Sequence, residues 1–458
     1  MSHRRTSRGG CRSRRGFLRD ALSLGGIWVL PRRILGAPGS PAPSEEIRAA
    51  FVGVGGRGEG NLGSLAWQVR IVAFADADFR RCEKGAFKKY PDVPRYDDYR
   101  RMLDRHGKEI DAVVVSTPDH THACIAWAAM EMGKHVYCEK PLAHSVWEVR
   151  QLMEVARRKK VITQLGNQGH SSNTIRMFCE WIWAGAIGTV HTIHAWCHKV
   201  HSAIPKLGLR SETHPIPEGL NWDVWLGPAQ ERPYHPMYLP GAWRDWYPFG
   251  SGTIGDWVCH VVDPVAWALD LGAPRTVKAV EVDRFDPVQH ADTFPFGSHI
   301  VFQIPSRRQR NEITLHWYDG TIKPPRPPEL EPGRELPGIG AVVVGDRGSI
   351  VYGSHGAASP RIIPEAKMKE FRPPEPTIPR VKGHHEDWIQ AIRENRPAGS
   401  NFDYGGPLTE IALLGIVAQR FPGTELVWNS NHMRFENHAA ATALLRPQNP
   451  RPGWFPTT

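Results

Sequence analysis

Five short apolar runs, Ile47–Val52, Val69–Ala75, Asp111–Ser116, His135–Cys138 and Val161–Leu165, alternate with stretches of helical composition such as Ala123–Met132 and Val146–Arg158. A helix between two strands returns the chain to the same end of the sheet, so the strands it joins pair in parallel. Runs that are apolar throughout, rather than at alternate positions, fit strands buried on both faces. The pattern predicts an α/β protein whose amino-terminal part is a doubly wound parallel sheet. Ligands of such sheets bind beyond the carboxyl ends of the strands, so the residues that follow each run become the candidates for chemistry.

The first run enters Gly53-Val54-Gly55-Gly56-Arg57-Gly58, in which Gly53, Gly55 and Gly58 have dinucleotide-fingerprint spacing. The first glycine turns the chain, the second admits a pyrophosphate and the third packs helix on strand, while Gly56 and Arg57 complete the anion-facing turn. Gly60 and Gly63 weaken the helix that follows. The second run ends at Asp76, twenty-three residues after Gly53. An acid there suits a ribose 2′-hydroxyl and favours NAD, although Arg80 and Arg81 keep NADP open. The later runs end in Thr117-Pro118-Asp119-His120-Thr121-His122, in Glu139-Lys140-Pro141 and in Gly166-Asn167-Gln168-Gly169-His170. A lysine at a strand mouth reaches a cofactor or exchanges a proton with a hydroxyl. Taken singly, each motif reads equally well as a common turn or a solvated strand end.

Together, Thr117-Pro118-x-x-x-His122 and Glu139-Lys140-Pro141 resemble the glucose–fructose oxidoreductase and inositol dehydrogenase family, called Gfo/Idh/MocA. The likeness in spacing runs over residues 47–170 and continues into the second half. It implies that Lys140 contacts the nicotinamide ribose and the reacting hydroxyl. Glu139, Thr117 and Pro118 would line the nicotinamide side, with His122 and Gln168 also among the cofactor contacts. It implies a carboxy-terminal α+β domain on an open, mostly antiparallel sheet. Its signature here is Gly255-Asp256-Trp257-Val258-Cys259-His260, where Asp256 and His260 are four apart and share a helix face. The matching pair in sugar and inositol dehydrogenases holds substrate hydroxyls and supplies the proton-transferring histidine. The plainer alternative is a helix cap at Asp256 and a core histidine at His260. No third ligand accompanies them, so a metal is not expected. Aromatic residues crowd 222–246, where most tryptophans read as core and Trp243 and Arg244 as substrate contacts, with His170 from the fifth strand end.

Nine arginines against Asp20 within residues 1–38 hold eight of the ten net positive charges, so the rest carries no basic stripe for nucleic acid. Ser13-Arg14-Arg15-Gly16-Phe17-Leu18 before the apolar Ala21–Leu30 resembles a twin-arginine export signal, which implies handling by that machinery and a periplasmic or otherwise exported protein. That route carries folded proteins, so a tightly bound cofactor is expected. No uncharged apolar stretch is long enough for a membrane span after processing. Six cysteines beyond Cys11 are widely spaced and read as buried, reduced packing residues. The boundaries read as a signal at 1–38, a linker at 39–44, a nucleotide domain at 45–168, a substrate and oligomerisation domain at 169–435 and a tail at 436–458. Proline-rich 324–337 and 360–379 read as extended loops or as arms across a neighbour, and a homo-oligomer is expected. Helices are expected at Glu386–Arg393 and Leu408–Arg420.

These readings predict hydride transfer between NAD(P) and a hydroxyl of a sugar, glycoside or polyol. Two alternatives stay open. One is redox-neutral chemistry, either a NAD-dependent glycosidase or a sugar–sugar oxidoreductase with a recycled cofactor. The other is a non-catalytic carbohydrate-binding protein.

Overall fold

A computed structural model describes residues 46–455; the basic leader with its export motif, and the linker at 39–44, lie outside the described residues. Strands β1 (Arg48–Val52), β2 (Arg70–Ala75), β3 (Arg95–Tyr96), β4 (Ala112–Val115), β5 (His135–Cys138) and β6 (Thr163–Leu165) form one sheet in the order β3-β2-β1-β4-β5-β6. Every pairing in it is parallel. Ala50, Val52, Val113 and Val115 face helices Asp119–Glu131 and Val146–Lys159, whereas Ala49, Phe51, Ala112 and Val114 face the other way. This is the two-residue period of a strand acting on a sheet buried on both sides.

The helix Arg57–Leu65 survives Gly60 and Gly63 because Leu62 and Leu65 are buried beneath it. Its neighbour in the same core is the late helix His384–Glu394, which supplies Trp388 and Ile389. The amino-terminal sheet is thus completed by residues from near the other end of the chain. The helix Tyr99–His106, which the apolar pattern does not announce, starts where the Asp98 carboxylate accepts the Arg100 N–H at 2.8 Å.

The second sheet contains β7 (Val190–Cys197), β8 (Thr276–Asp283), β9 (Gly297–Ser306), β10 (Asn311–Gly320), β11 (Ile339–Gly345), β12 (Gly348–Gly353), β13 (Ala358–Ile363), β14 (Glu425–Asn429) and β15 (Arg434–Phe435). Their order is β13-β12-β11-β7-β10-β9-β8-β14-β15. β7 and β10 pair in parallel while their other neighbours run antiparallel. The inner face of β9 and β10 presents Ile300, Phe302, Ile304, Ile313, Leu315 and Trp317 to a core shared with helices Gly252–Val261 and Phe402–Gln419.

The proline-rich 324–337 stretch lies on this chain's own sheet rather than extending away. Leu330 and Leu336 pack on Trp196, Val342 and Val351, and the Trp196 indole donates to the Pro337 carbonyl at 2.7 Å. Pro360 belongs to β13, an edge strand where a missing N–H costs no ladder bond. The helix read as Leu408–Arg420 begins at Phe402, with Pro407 inside it and Asn401 as its cap. All six described cysteines are buried and unpaired. No helix among the described residues is long and apolar enough to cross a membrane.

Three buried imidazoles tie these layers together. His120 meets the Phe249 and Trp225 carbonyls at 3.2 and 3.0 Å, His384 meets the Leu165 carbonyl at 2.7 Å, and His385 stacks on Tyr137. Burial lowers His120 to about 3, His384 to about 3 and His385 to about 4. An unfolded chain takes up these protons near pH ~6.5 while the native protein does not, so stability is lost as pH falls below that value. Asp319, raised by burial to about 6, works in the opposite sense, as do the raised Asp76, Glu148 and His201. These are outnumbered, because His194 and His316, lowered to about 4, and the lowered His135, His198, His260, His299 and His355 add to the first three. Calorimetric melting temperatures should fall continuously from about pH 7 to about pH 5; a flat or rising profile would contradict this assignment.

Candidate active site at the mouth of the parallel sheet

A cavity of about 480 Å3 opens at the carboxyl ends of β1, β2, β4 and β5, where the strand order reverses between β1 and β4. Gly53 holds φ +78°, and a Cβ there would sit 2.8 Å from the Ser116 backbone. A Cβ on Gly58 would sit 1.8 Å from the Gly53 carbonyl oxygen. The turn therefore closes only with glycine at both positions. It leaves the helix Arg57–Leu65 opening on Gly56 without a side-chain cap, with Gly55, Gly56 and Arg57 on the cavity wall. An uncapped helix start of this kind binds anions.

Asp76 follows β2 in the same wall. Its carboxylate accepts N–H bonds from Val54 at 2.8 Å and Asp78 at 2.9 Å. Burial nonetheless pushes its pKa up from the ordinary carboxylate value, making it a weaker acid. Arg80 is turned aside onto Asp78 at 2.7 Å, while Arg81 lines the cavity. From Lys140 after β5 to Tyr99 after β3 the wall crosses four strand spacings, about 19 Å at the usual interval, which suits an extended dinucleotide.

At the β5 end, Lys140 Nζ donates to the Asp256 carboxylate at 2.5 Å and to the Asp256 carbonyl at 2.9 Å. Arg244 Nε donates to the same carboxylate oxygen at 3.0 Å, and its guanidinium lies 4.2 Å over the Trp243 ring. Burial alone would raise Asp256, but Lys140, His201 and Arg244 hold it well below the usual carboxylate range. His260, one helical turn on, is held well below its ordinary value by burial and by the nearby Lys140 charge. Its Nδ1 is buried without a partner, and its ring stacks 4.2 Å from His355. Lys140, His260, Trp243, Arg244, Trp257 and His355 all line the cavity.

Beneath them Glu139 accepts from Asn61 and Gln168, each at 2.9 Å, and from Arg57 at 3.0 Å. Thr117 and Pro118 line the cavity, and Thr117 accepts the Thr121 hydroxyl at 2.8 Å. His122 also reaches the wall, but its ring nitrogens lie 2.8 Å from the Thr117 and Pro141 carbonyls, so it braces one strand-end turn against another.

His170, expected at the substrate, is elsewhere. The short turn Gln168–Ser171 sends Gln168 into the cavity and His170 under it. There its Nδ1 meets Asp263 at 2.9 Å and its ring stacks on Trp267 and Tyr404. Beside His260, the cavity is also lined by His355, which comes from the turn between β12 and β13 and which no spacing motif marks. His201 is not on the wall but backs it, with Nε2 3.5 Å from Asp256 and Nδ1 3.2 Å from Asp245. Glu212, His214 and His235 bring ligand-type atoms within 4.8 Å of one another. His235 Nδ1 accepts the Met237 N–H at 3.1 Å, which leaves its proton on the Nε2 that faces Glu212 and argues against a cation between them.

Residues 47–167 match the Gfo/Idh/MocA model described as oxidoreductase family, NAD-binding Rossmann fold, and residues 194–305 match the companion C-terminal alpha/beta domain. Inositol 2-dehydrogenase 1 of Saccharopolyspora erythraea is 32% identical over 173 residues, 36% of this chain and 50% of that one. A glycosyl hydrolase family 109 protein of Shewanella pealeana is 31% identical over 201 residues, 40% of this chain and 43% of that one. The chain spans half or less of the length of the curated relatives it matches. Among solved structures, the WlbA dehydrogenase of Bordetella pertussis with NADH and UDP-GlcNAcA shares the fold. The TM-score is 0.57 and the identity 15%, over 84% of this chain and 98% of that one.

The glycine turn gives a paired test. Gly58→Ala forces a Cβ into the Gly53 carbonyl and should cost about 1–3 kcal/mol, as overpacking does, and abolish nucleotide uptake. Gly60→Ala, with nothing nearer than 3.9 Å, should bind nucleotide normally and melt no lower than wild type. Equal behaviour of the two variants in calorimetry and nucleotide titration would contradict this account of the turn.

Proposed function

We propose that this chain, which belongs to the Gfo/Idh/MocA family of oxidoreductases, oxidises or reduces a hydroxyl-bearing carbon of a sugar, glycoside or polyol using NAD held in the cleft. The observation that carries this reading is the meeting of Lys140 and His260 at one end of a cavity that also holds the glycine turn and Asp76. When bound, NAD supplies the hydride acceptor or donor. The chain's own work is to hold the alcohol and manage its proton. Lys140, fixed by Asp256, sets a donor beside the oxygen on which negative charge develops. His260, kept neutral by burial and by the Lys140 charge, takes the hydroxyl proton. Trp243 offers an aromatic face to a sugar ring and Arg244 a donor to its hydroxyls. Asp76 favours NAD, because a carboxylate there accepts a ribose 2′-hydroxyl and repels a 2′-phosphate.

A second reading is favoured by the family 109 glycosyl hydrolase relative. In it the glycoside would be hydrolysed by water, and a hydride would pass from the sugar to NAD, if bound, and return, leaving no net change in nicotinamide. The two readings share Lys140, Asp256 and His260 and differ in what leaves the site. Lys140→Ala and His260→Ala should each fold and bind NAD, yet slow hydride transfer by about 10²–10⁴-fold. Steady NADH formation with a sugar or polyol supports the dehydrogenase. Cleavage of a glycoside at constant nicotinamide absorbance, lost in Lys140→Ala, supports the redox-neutral cycle. If both variants match wild type on every substrate turned over, these residues are not the catalytic groups.

We further propose export through the twin-arginine route with the cofactor already bound, on the strength of Ser13–Leu18 ahead of the apolar Ala21–Leu30. Replacing Arg14 and Arg15 together by lysine keeps the charge but removes both guanidinium groups. Cell fractionation should then find full-length precursor retained inside; normal export of that variant would overturn the assignment.

A further inference from the structure

The end of the cavity away from Lys140 is walled by Tyr99 and Trp454, residues that belong to no nucleotide-binding motif. Tyr99 follows β3, the edge strand beyond the one carrying Asp76, so this wall stands where the adenosine half of a dinucleotide would end. Trp454 is 4% exposed, with the Arg100 guanidinium 4.0 Å over its ring. It arrives there on the segment 446–455, which crosses from the second sheet to the first. The Leu445 carbonyl accepts the Trp147 N–H at 2.9 Å. Arg451 donates from its backbone N–H to the Pro228 carbonyl at 3.0 Å and from its guanidinium to the Asp223 carbonyl at 3.1 Å, and it forms an ion pair with the Asp223 carboxylate. Asp223 lies in the helix Trp222–Leu226, whose Val224 and Trp225 line the same cavity. The segment therefore bridges two walls of the cleft and inserts one indole between them.

We infer that 446–455 is a clasp that retains the dinucleotide, with Trp454 closing the adenosine end and the Arg451–Asp223 link setting how readily that end opens. The parts differ in kind. The indole is buried, and an aromatic face lost beside a base weakens binding substantially. The Asp223 side chain is 63% exposed, and an exposed ion pair is weak, which makes the fastening reversible. A releasable clasp suits a protein that must be loaded once and then keep its cofactor.

The inference rests on NAD occupying the cleft, and the test separates the two. Full-length protein is loaded with NADH, mixed with excess NAD, and the decay of protein-sensitised nicotinamide fluorescence is followed in a stopped-flow instrument. Trp454→Ala should release NADH about 10–100-fold faster than wild type, with the loss of affinity expressed mainly in the off-rate. Trp454→Phe should restore most of the retention. Asp223→Asn, which leaves the buried ring in place, should accelerate release by a smaller factor at an unchanged melting temperature, and it covers the case in which Trp454→Ala does not fold. Wild-type off-rates in Asp223→Asn and in every folded Trp454 variant overturn the clasp and leave the NAD reading standing. A lowered melting temperature in Trp454→Ala with unchanged release does the same, because it makes Trp454 a packing residue. Wild-type protein that takes up neither NADH nor NADPH removes both.

Discussion

The pairing of Lys140 with Asp256 is the interaction on which the rest of the site depends. Their side chains are 11% and 13% exposed, and a charge so far from water is tolerated only with its partner in place. Removing Asp256 would leave Lys140 buried without its carboxylate, at a cost on the order of 3–5 kcal/mol, whereas removing Lys140 leaves Asp256 still paired with Arg244 and His201. Lys140 stands at the end of β5 and Asp256 on the helix Gly252–Val261, which packs in the core of the second sheet. The pair therefore brings that helix to the mouth of the first sheet, and Arg244, bonded to the same carboxylate, fixes Trp243 beside it.

That cluster also divides the labour of acid and base. Burial acts on Asp256 and His260 in the same way, disfavouring the charged form of each. The surrounding cations then act in opposite senses. Lys140, His201 and Arg244 keep Asp256 ionised against its burial, whereas the Lys140 charge joins burial in keeping His260 neutral. Two groups one helical turn apart are thus driven to opposite states, an anion and a neutral imidazole, which are the states the proposed orienting and proton-accepting roles require.

How much of this was legible in the sequence follows from the range of the interactions. The parallel sheet, its strand ends, the glycine turn, Asp76 and Lys140 could be read because each depends on neighbours within a few residues and on the fixed geometry of a doubly wound sheet. The Asp256 and His260 pair was legible through family likeness and helical spacing, and Trp243 and Arg244 through composition. His170 shows where such reading fails. Residence at a strand end placed it near the cleft, but a single short turn decided that Gln168 points in and His170 points under, toward Asp263. His201 and His355 were invisible because each enters through a contact with partners far away in sequence. The helix Tyr99–His106 was missed for another reason: its buried residues are few, and it is held by the Asp98 cap rather than by a long apolar face.

The walls of the cleft have a different origin from its floor. The floor is made of strand ends, whose positions follow from the order of strands in one sheet. The walls come from the aromatic segment near Trp225 and Trp243, from the β12–β13 turn with His355, and from 446–455 with Trp454. His355 and Trp454 lie beyond residue 305, outside both matched family stretches. A floor so constrained delivers the same reactive groups in every chain that builds it, whereas walls built from long connections are free to change shape without disturbing the sheet. On the proposed function, substrate choice and cofactor retention would be open to adjustment at His355 and Trp454, the wall residues outside the matched stretches.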